Sequence, residues 1–166
     1  MSLKVWRFAC IYLVPITLAL TFSHVLAMSR KLQYGQALYA SVQHTMHLYF
    51  ASVGARAEIA AVVCLTVLCF LAPSRRNIFR LALGATICVT AGLVVWLAVV
   101  APANAQMAQW ATVPLPNNWE STRRHWEFGH SASAILHLIG FGALITSVLL
   151  SLIAERGAWS RVGHMD

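Results

Sequence analysis

Four long apolar stretches separated by polar segments dominate the pattern of the chain. They run from about residue 8 to 28, 48 to 72, 79 to 101 and 131 to 154. Each approaches the roughly 20 residues that a helix needs to cross a bilayer. Helices are expected to end at the prolines between them, which are Pro73, Pro102, Pro114 and Pro116. The pattern predicts one all-α domain over residues 1–166, an integral membrane four-helix bundle of antiparallel up-down topology with helical outer-side connections.

The fourth apolar stretch separates into two faces at helical spacing. One face is apolar and presents Ile135, Ile139 and Leu149, and the other face is polar. Lipid disfavours polar side chains, so we expect the polar face to point into the bundle. Extended backward, the same spacing reaches Glu127 and Arg123. The members of the polar face are His130, Ser133, His137, Gly140, Leu144, Ser147 and Ser151.

Composition supports a membrane protein, since 59% of the residues are hydrophobic, 10% are charged and the mean hydropathy is +0.68. Soluble domains are about 45–50% apolar and about 25% charged. The net charge of +7 comes from basic residues that flank the apolar stretches. This placement is typical of membrane orientation, so the predicted partner is the lipid bilayer and not nucleic acid.

Lysine and arginine are distributed unequally between the two sides of the predicted bundle. The richer side has seven, which are Lys4, Arg7, Arg75, Arg76, Arg80, Arg156 and Arg161. The other side has four, which are Arg30, Lys31, Arg123 and Arg124. Because cytoplasmic segments are enriched in these residues, both termini are predicted to be cytoplasmic in a multi-pass protein.

Polar residues also occur in the first two helices. Thr17, Thr21 and His24 share one face of the first helix. Glu58 is either an intramembrane carboxylate on the second helix or, if Gly54 breaks that helix, a residue at headgroup level. Intramembrane ionisable residues indicate a functional site by default.

Histidine is concentrated on the predicted outer half of the chain, and its roles stay open at this point. A metal site for copper or iron would draw on His44, His47, His130, Glu127 and Glu58. Axial haem ligation would use His24, His130 or His137. The alternative is that these histidines form interhelical hydrogen bonds. We expect His24, Glu127 and His130 to converge at the outer membrane boundary.

Tryptophans on the outer connections allow two interpretations. Trp119 and Trp126 either belong to an interfacial aromatic belt or stack on a flat apolar ligand. An apolar aromatic small molecule or a quinone is the predicted ligand of the second interpretation.

Several short motifs together resemble a known family. The distal motif is Pro102-Ala-Asn104, then Trp110, then Trp119-x3-Arg123-Arg124-x-Trp126-Glu127-x2-His130. The proximal motifs are Ser23-His24-x6-Lys31-Leu32, Tyr39-x3-Gln43 and Gly54-x3-Glu58. The chain resembles the small four-helix bacterial membrane proteins grouped with the anthrone oxygenases. It departs from the family pattern at Ala27, Ser29 and Arg30.

The resemblance implies a bacterial inner-membrane enzyme that oxidises an anthrone with O2. It implies catalytic roles for His130, Glu127, His24 and Arg123, and substrate contacts for Trp126, Trp119, Asn104 and Arg124. A neutral imidazole would remove the proton next to the carbonyl, and Arg123 or Arg124 would stabilise the anion. Such an anion reacts with O2 directly, so chemistry without a cofactor is open beside a metal or haem.

The competing class is non-catalytic. A small bundle with inward histidines is equally expected to hold haem or a quinone for electron transfer. It is also compatible with a homo-oligomer or with a packing subunit of a larger membrane complex.

Overall fold

The computed structural model describes residues 3–46, 50–71, 76–110, 112 and 114–162, and all regular structure in these residues is helical. The predicted all-α fold is confirmed. The five helices are α1 (Leu3–Lys31), α2 (Gln36–Met46), α3 (Phe50–Leu71), α4 (Arg76–Gln109) and α5 (Trp119–Val162).

Four of these helices, α1, α3, α4 and α5, are long and apolar enough to span a membrane. They form an antiparallel bundle, because α1 and α5 meet at both of their ends. Arg7 at the start of α1 pairs with Glu155 of α5, and His24 near its end contacts Trp126 of α5. We call the half that contains Arg7 and Glu155 the terminal half, and the half that contains His24 and Trp126 the distal half. The chain is thus built as a multi-pass membrane protein.

The predicted faces of α1 and α5 are confirmed. Ser133 and His137 are fully buried, whereas Ile135 and Ile139 are more than half exposed on the outside of the bundle. In α1 the predicted face is buried at Thr17, Thr21 and His24. Polar positions face the interior because the outer surface meets hydrocarbon, where an unsatisfied polar group is costly.

The expectation that a helix ends at Pro102 is wrong, since α4 continues through it to Gln109. A proline inside an α-helix lacks a donor and crowds the carbonyl four residues earlier. Here residues Trp96–Val100 form a π-helical turn directly before the proline. In that turn the amide of Ala101 donates to the carbonyl of Trp96, five residues earlier. The wider turn relieves the crowding, so α4 reaches well into the distal half.

Close packing of α4 on α5 depends on Gly140 of α5. A β-carbon on Gly140 would lie 3.1 Å from Val89 and 3.2 Å from Cys88, so the helices touch there. Gly84 of α4 is not part of this contact, because a β-carbon at that position would meet nothing within 4 Å. The buried row of α4 runs through Ala85, Val89 and Gly92 instead.

Candidate functional site

The distal half contains a small cavity between α1, α3 and α5. Its volume is about 40 Å³, which is room for about three water molecules. Nine-tenths or more of each of His24, Glu58 and His130 is buried at this cavity. The full lining is Thr17, Leu20, Thr21, His24, Phe50, Ala51, Gly54, Glu58, Asn104, Trp126 and His130.

An aromatic cluster forms one wall of the cavity. The ring centroids of His24 and His130 are 4.1 Å apart, and both imidazoles contact the Trp126 indole edge to face at 4.7 Å and 4.4 Å. Phe50 of α3 adds an edge contact to His24 at 5.5 Å. The indole is itself fixed, because its Nε1 donates a hydrogen bond of 2.6 Å to Asn104 Oδ1. Helices α1, α3, α4 and α5 therefore all contribute to this wall.

The floor of the cavity is a carboxylate held by an imidazole. Glu58 Oε1 lies 2.9 Å from His137 Nε2, and His137 Nδ1 lies 3.3 Å from Thr21 Oγ1. The imidazole of His137 thus bridges Glu58 of α3 and Thr21 of α1. Of the two interpretations of Glu58, the structure supports the intramembrane one. Gly54 does not break α3, and Glu58 is only 4% exposed.

The His137 imidazole fits because α4 has no side chain beside it. A β-carbon on Gly92 would lie 2.4 Å from His137 Nε2, the atom that faces Glu58. The carbonyl of Gly92 also accepts a hydrogen bond of 3.1 Å from Ser133 Oγ. The absence of a side chain at Gly92 is thus a steric requirement of the Glu58–His137 pair.

A buried ionic layer lies beside the aromatic wall and outside the cavity lining. Lys31 Nζ is 3.0 Å from Glu127 Oε2, and both residues are at most 2% exposed. The hydroxyl of Tyr39 donates a hydrogen bond of 3.2 Å to Glu127 Oε1. Burial, and then the negative charge of Glu127, raise the pKa of the Tyr39 phenol, so it stays a protonated donor. Lys31 Nζ also lies 4.5 Å from the centroid of the Trp126 ring, which connects this layer to the wall.

Arg123 closes the end of α1. Its guanidinium donates to the carbonyl of Tyr34 at 2.9 Å and to that of Lys31 at 3.5 Å, where the helix leaves carbonyls without intrahelical partners. It also stacks on Trp119 at 4.6 Å. Arg123 and Trp119 were predicted to belong to the site, but neither lines the cavity. The contacts of Arg123 are those of a residue that caps the end of a helix.

The predicted site residues fall into separate places. His24, His130, Trp126, Asn104 and Glu58 surround the cavity, with His137 behind it. Glu127 belongs to the ionic layer, so the expected convergence of His24, Glu127 and His130 is met by the two histidines only.

Three further predicted residues lie elsewhere. Arg124 is exposed on the outside of α5, and His44 is half-buried on α2. His47 lies outside the described residues.

Among the described residues, no three His, Cys, Asp or Glu side chains are placed together to hold a metal ion. Nor does a porphyrin fit between His24 and His130 as opposite axial ligands, because the two rings are in direct contact.

Three functional residues were not singled out by sequence reasoning. Lys31 was counted for membrane orientation and formed part of a family motif, but it was not assigned to the site, yet it is the buried partner of Glu127. Tyr39 and Thr21 carry the hydrogen bonds that hold Glu127 and His137. The Tyr39-x3-Gln43 motif and the first-helix face were signals for the last two, although neither indicated the partner.

Comparison of the chain with protein-family models, curated proteins and solved structures gives no match. The resemblance to the anthrone oxygenases stays a prediction, and the function is argued from the geometry of the cavity.

Proposed function

We propose that the protein is a membrane-embedded enzyme of the anthrone-oxygenase type, which removes a proton from an apolar aromatic molecule and allows it to react with O2. The observation that carries this proposal is the cavity lined by Glu58, His24 and His130 inside helices apolar enough to span a membrane. Ionisable side chains are expensive in such a place, and they are retained where they act on a ligand or an ion.

Glu58 is the group best arranged to accept a proton. Its carboxylate lines the cavity, and one of its oxygens is occupied by His137 Nε2 at 2.9 Å. The pairing fixes the direction of the carboxylate, while His24 and His130 stand across the cavity as further donors or acceptors. A fixed acceptor within hydrogen-bond reach of a bound substrate is the first requirement of general base catalysis.

The cavity is large enough for O2 but too small for the aromatic substrate, so the two reactants must bind in different places. About 40 Å³ accommodates O2 or water but not three fused aromatic rings. Half-buried side chains of α1 and α3 form the wall toward the outside, namely Leu20, Phe50 and Ala51. Since this wall faces the membrane, an apolar substrate enters between α1 and α3 by displacing those side chains, and its acidic position meets Glu58.

The overall reaction balances without another reactant. Anthrone and O2 give anthraquinone and water. The base takes a ring-flanking C–H proton, and the resulting anion supplies electrons to O2 as a C–O bond forms. The O–O bond then breaks as a second C–H proton is lost, which leaves the new carbonyl and water. The wall of aromatic rings excludes bulk water from this step.

A bacterial inner-membrane location with cytoplasmic termini completes the proposal. It rests on the seven lysines and arginines of the terminal side against four on the other side. The cavity then opens in the half of the bundle nearer the outer leaflet. Accessibility of single cysteines to a membrane-impermeant reagent at Ser29 and Arg80 tests this orientation, because only Ser29 should react in intact cells.

The catalytic test uses purified protein in lipid nanodiscs with anthrone as the probe. Anthraquinone formation and O2 uptake are followed together. Glu58→Gln should lower kcat by about 100-fold or more, the usual contribution of a general base. Glu120→Gln is the matched control, because that carboxylate is exposed at the same end of the bundle. If the Glu58→Gln protein folds and turns over anthrone at the rate of the control, the proposal is wrong.

Quinone binding without turnover is the alternative, and the aromatic wall formed by Trp126, His24 and Phe50 favours it. In that case a benzoquinone or naphthoquinone should quench the fluorescence of Trp126 with saturation while O2 uptake with anthrone stays at the level of empty nanodiscs. Trp126→Phe identifies the quenched residue.

A further inference from the structure

Two further cavities lie between α4 and α5, and none of the proposed catalytic groups lines them. The larger is about 580 Å³ and the smaller about 300 Å³. They share Val99, Ser121 and His125, so they form one continuous groove. We call this the α4–α5 groove. Its outer rim is exposed on the surface that the membrane and its headgroups cover.

The chemistry of the α4–α5 groove changes along its length. Around the start of α5 it is lined by Asn118, Ser121, Arg124 and His125. Further along α5, away from that end, the lining is apolar and consists of Val95 of α4 with Phe128 and Ala132 of α5. Eight residues of helix from Arg124 to Ala132 correspond to about 12 Å. A polar end followed by an apolar channel has the same order as a lipid headgroup and its chain.

Small residues give the groove its depth. Gly129 lies in its lining, and a β-carbon there would be 2.8 Å from Val100 and 3.2 Å from Val99. The two helices therefore touch at the floor of the groove, and no side chain of α5 fills the space above Gly129. Ala132, the next small residue of the lining, is exposed.

The polar end of the groove is positively charged. Among the ion pairs of the described residues none includes Arg124, because Glu120 lies beside Arg123 at 4.0 Å instead. His125 Nδ1 donates to the carbonyl of Ser121 at 2.8 Å, which holds the ring against its own helix beside Arg124. A cation in this position complements a phosphate, and basic residues at a membrane surface attract acidic lipids.

We propose that the α4–α5 groove is a binding site for an acidic phospholipid. The phosphate contacts the guanidinium of Arg124, and one acyl chain lies against Val95, Phe128 and Ala132. This site is independent of the proposed catalytic cavity and assigns a role to Arg124, which that cavity does not use.

The test measures which phospholipid stays bound to the purified protein. Protein is equilibrated in mixed micelles with equal amounts of phosphatidylglycerol and phosphatidylcholine, and retained lipid is counted by native mass spectrometry. Wild-type protein should retain phosphatidylglycerol in preference. Arg124→Gln should reduce this preference about fivefold, the usual effect of one basic residue at a charged membrane surface. Arg30→Gln is the control, because Arg30 is exposed in the same half of the bundle but outside the groove.

The acyl-chain part of the site has its own pair of variants. Ala132→Trp should fill the channel and abolish retention, whereas Ile135→Trp, at an exposed position three residues on, should not. The variants should fold, because the substituted positions are all exposed, namely Arg30, Arg124, Ala132 and Ile135. Equal retention of the two lipids by wild type, or equal losses in Arg124→Gln and Arg30→Gln, would overturn the proposal. So would unchanged retention in Ala132→Trp.

Discussion

The two halves of the bundle are built from the same four helices but from different chemistry. The interior of the terminal half is mostly apolar, with Val14, Leu65, Val89 and Leu144 fully buried against one another, and its buried charge among the described residues is Arg7, which pairs with Glu155. At the same depth below the surface, the distal half buries imidazoles, carboxylates and a lysine. The buried titratable residues of the distal half are His24, Lys31, Glu58, Glu127, His130 and His137.

The comparison supports the distal half as the place of the proposed function. In a bilayer, apolar side chains on neighbouring helices gain mainly from close contact, so the terminal half is what packing alone requires. Buried ions cost several kcal/mol each unless they are paired, as a rough figure. The distal half offsets this cost with two separate pairs, Glu58 with His137 and Glu127 with Lys31. Packing of the bundle requires neither pair, and this supports the proposed ligand site in the distal half.

The largest expected effect comes from separating the Glu58–His137 pair. His137→Leu leaves the carboxylate buried without its partner, and we expect the free energy of unfolding to fall by about 3–5 kcal/mol. The double variant His137→Leu, Glu58→Leu removes both groups and should recover much of that loss. Unfolding in detergent by sodium dodecyl sulfate measures both. Losses that simply add in the double variant would contradict a direct pairing.

The corresponding experiment in the terminal half is Leu144→Ala. Removing a fully buried leucine leaves a cavity, which costs about 2–5 kcal/mol. Turnover and ligand binding should stay unchanged in the fraction that remains folded, because the catalytic cavity is in the other half. Leu138→Ala, on the lipid side of the same helix, should cost much less. A change in KM in Leu144→Ala would show that the halves are not independent.

Gly92→Ala examines the contact between α4 and the imidazole of His137. The added carbon would lie 2.4 Å from His137 Nε2, so the ring must move away from Glu58. We expect a loss of about 1–3 kcal/mol together with reduced activity. Gly84→Ala is the control on the same helix, because its β-carbon meets nothing within 4 Å. Equal thermal midpoints for the two variants would contradict the close approach.

The smallest effect is expected from Tyr39→Phe, which removes one hydrogen bond to Glu127 and should cost about 1 kcal/mol at neutral pH. The pKa of Tyr39 is raised in the folded state, so the folded protein keeps a proton that the unfolded chain loses above about pH 10. The stability of the wild type therefore falls as the pH rises beyond 10. Tyr39→Phe should fall less over the same range. Parallel curves for the two proteins would contradict a buried, protonated phenol.

Sequence periodicity predicted faces well and partners poorly. The spacing of Ser133, His137 and Gly140 identified the buried face of α5 because a helix repeats every 3.6 residues. The pairing of His137 with Glu58 depends on the depth and rotation of two helices, which the spacing within either one does not contain. The same limit explains why Lys31 was not recognised as the partner of Glu127.

Neighbouring arginines illustrate how finely the site depends on helix rotation. Arg123 and Arg124 were interchangeable in the sequence, and either could stabilise an anion. Successive residues of a helix differ by about 100° in direction. As a result Arg123 is buried at the end of α1 while Arg124 is exposed at the α4–α5 groove. The sequence predicted helical outer connections without their bounds. In the structure much of these connections belongs to α2, α4 and α5.

The pairing of α1 with α5 has a consequence for biosynthesis. α1 is translated before α5, yet Thr21 meets His137 and Arg7 meets Glu155, 116 and 148 residues later in the chain. Until α5 is inserted, the polar face of α1 has none of these partners, and Glu58 in α3 lacks His137. A ribosome-arrested or truncated chain that ends before α5 should therefore be a substrate for membrane chaperones and quality-control proteases, because α5 supplies these partners.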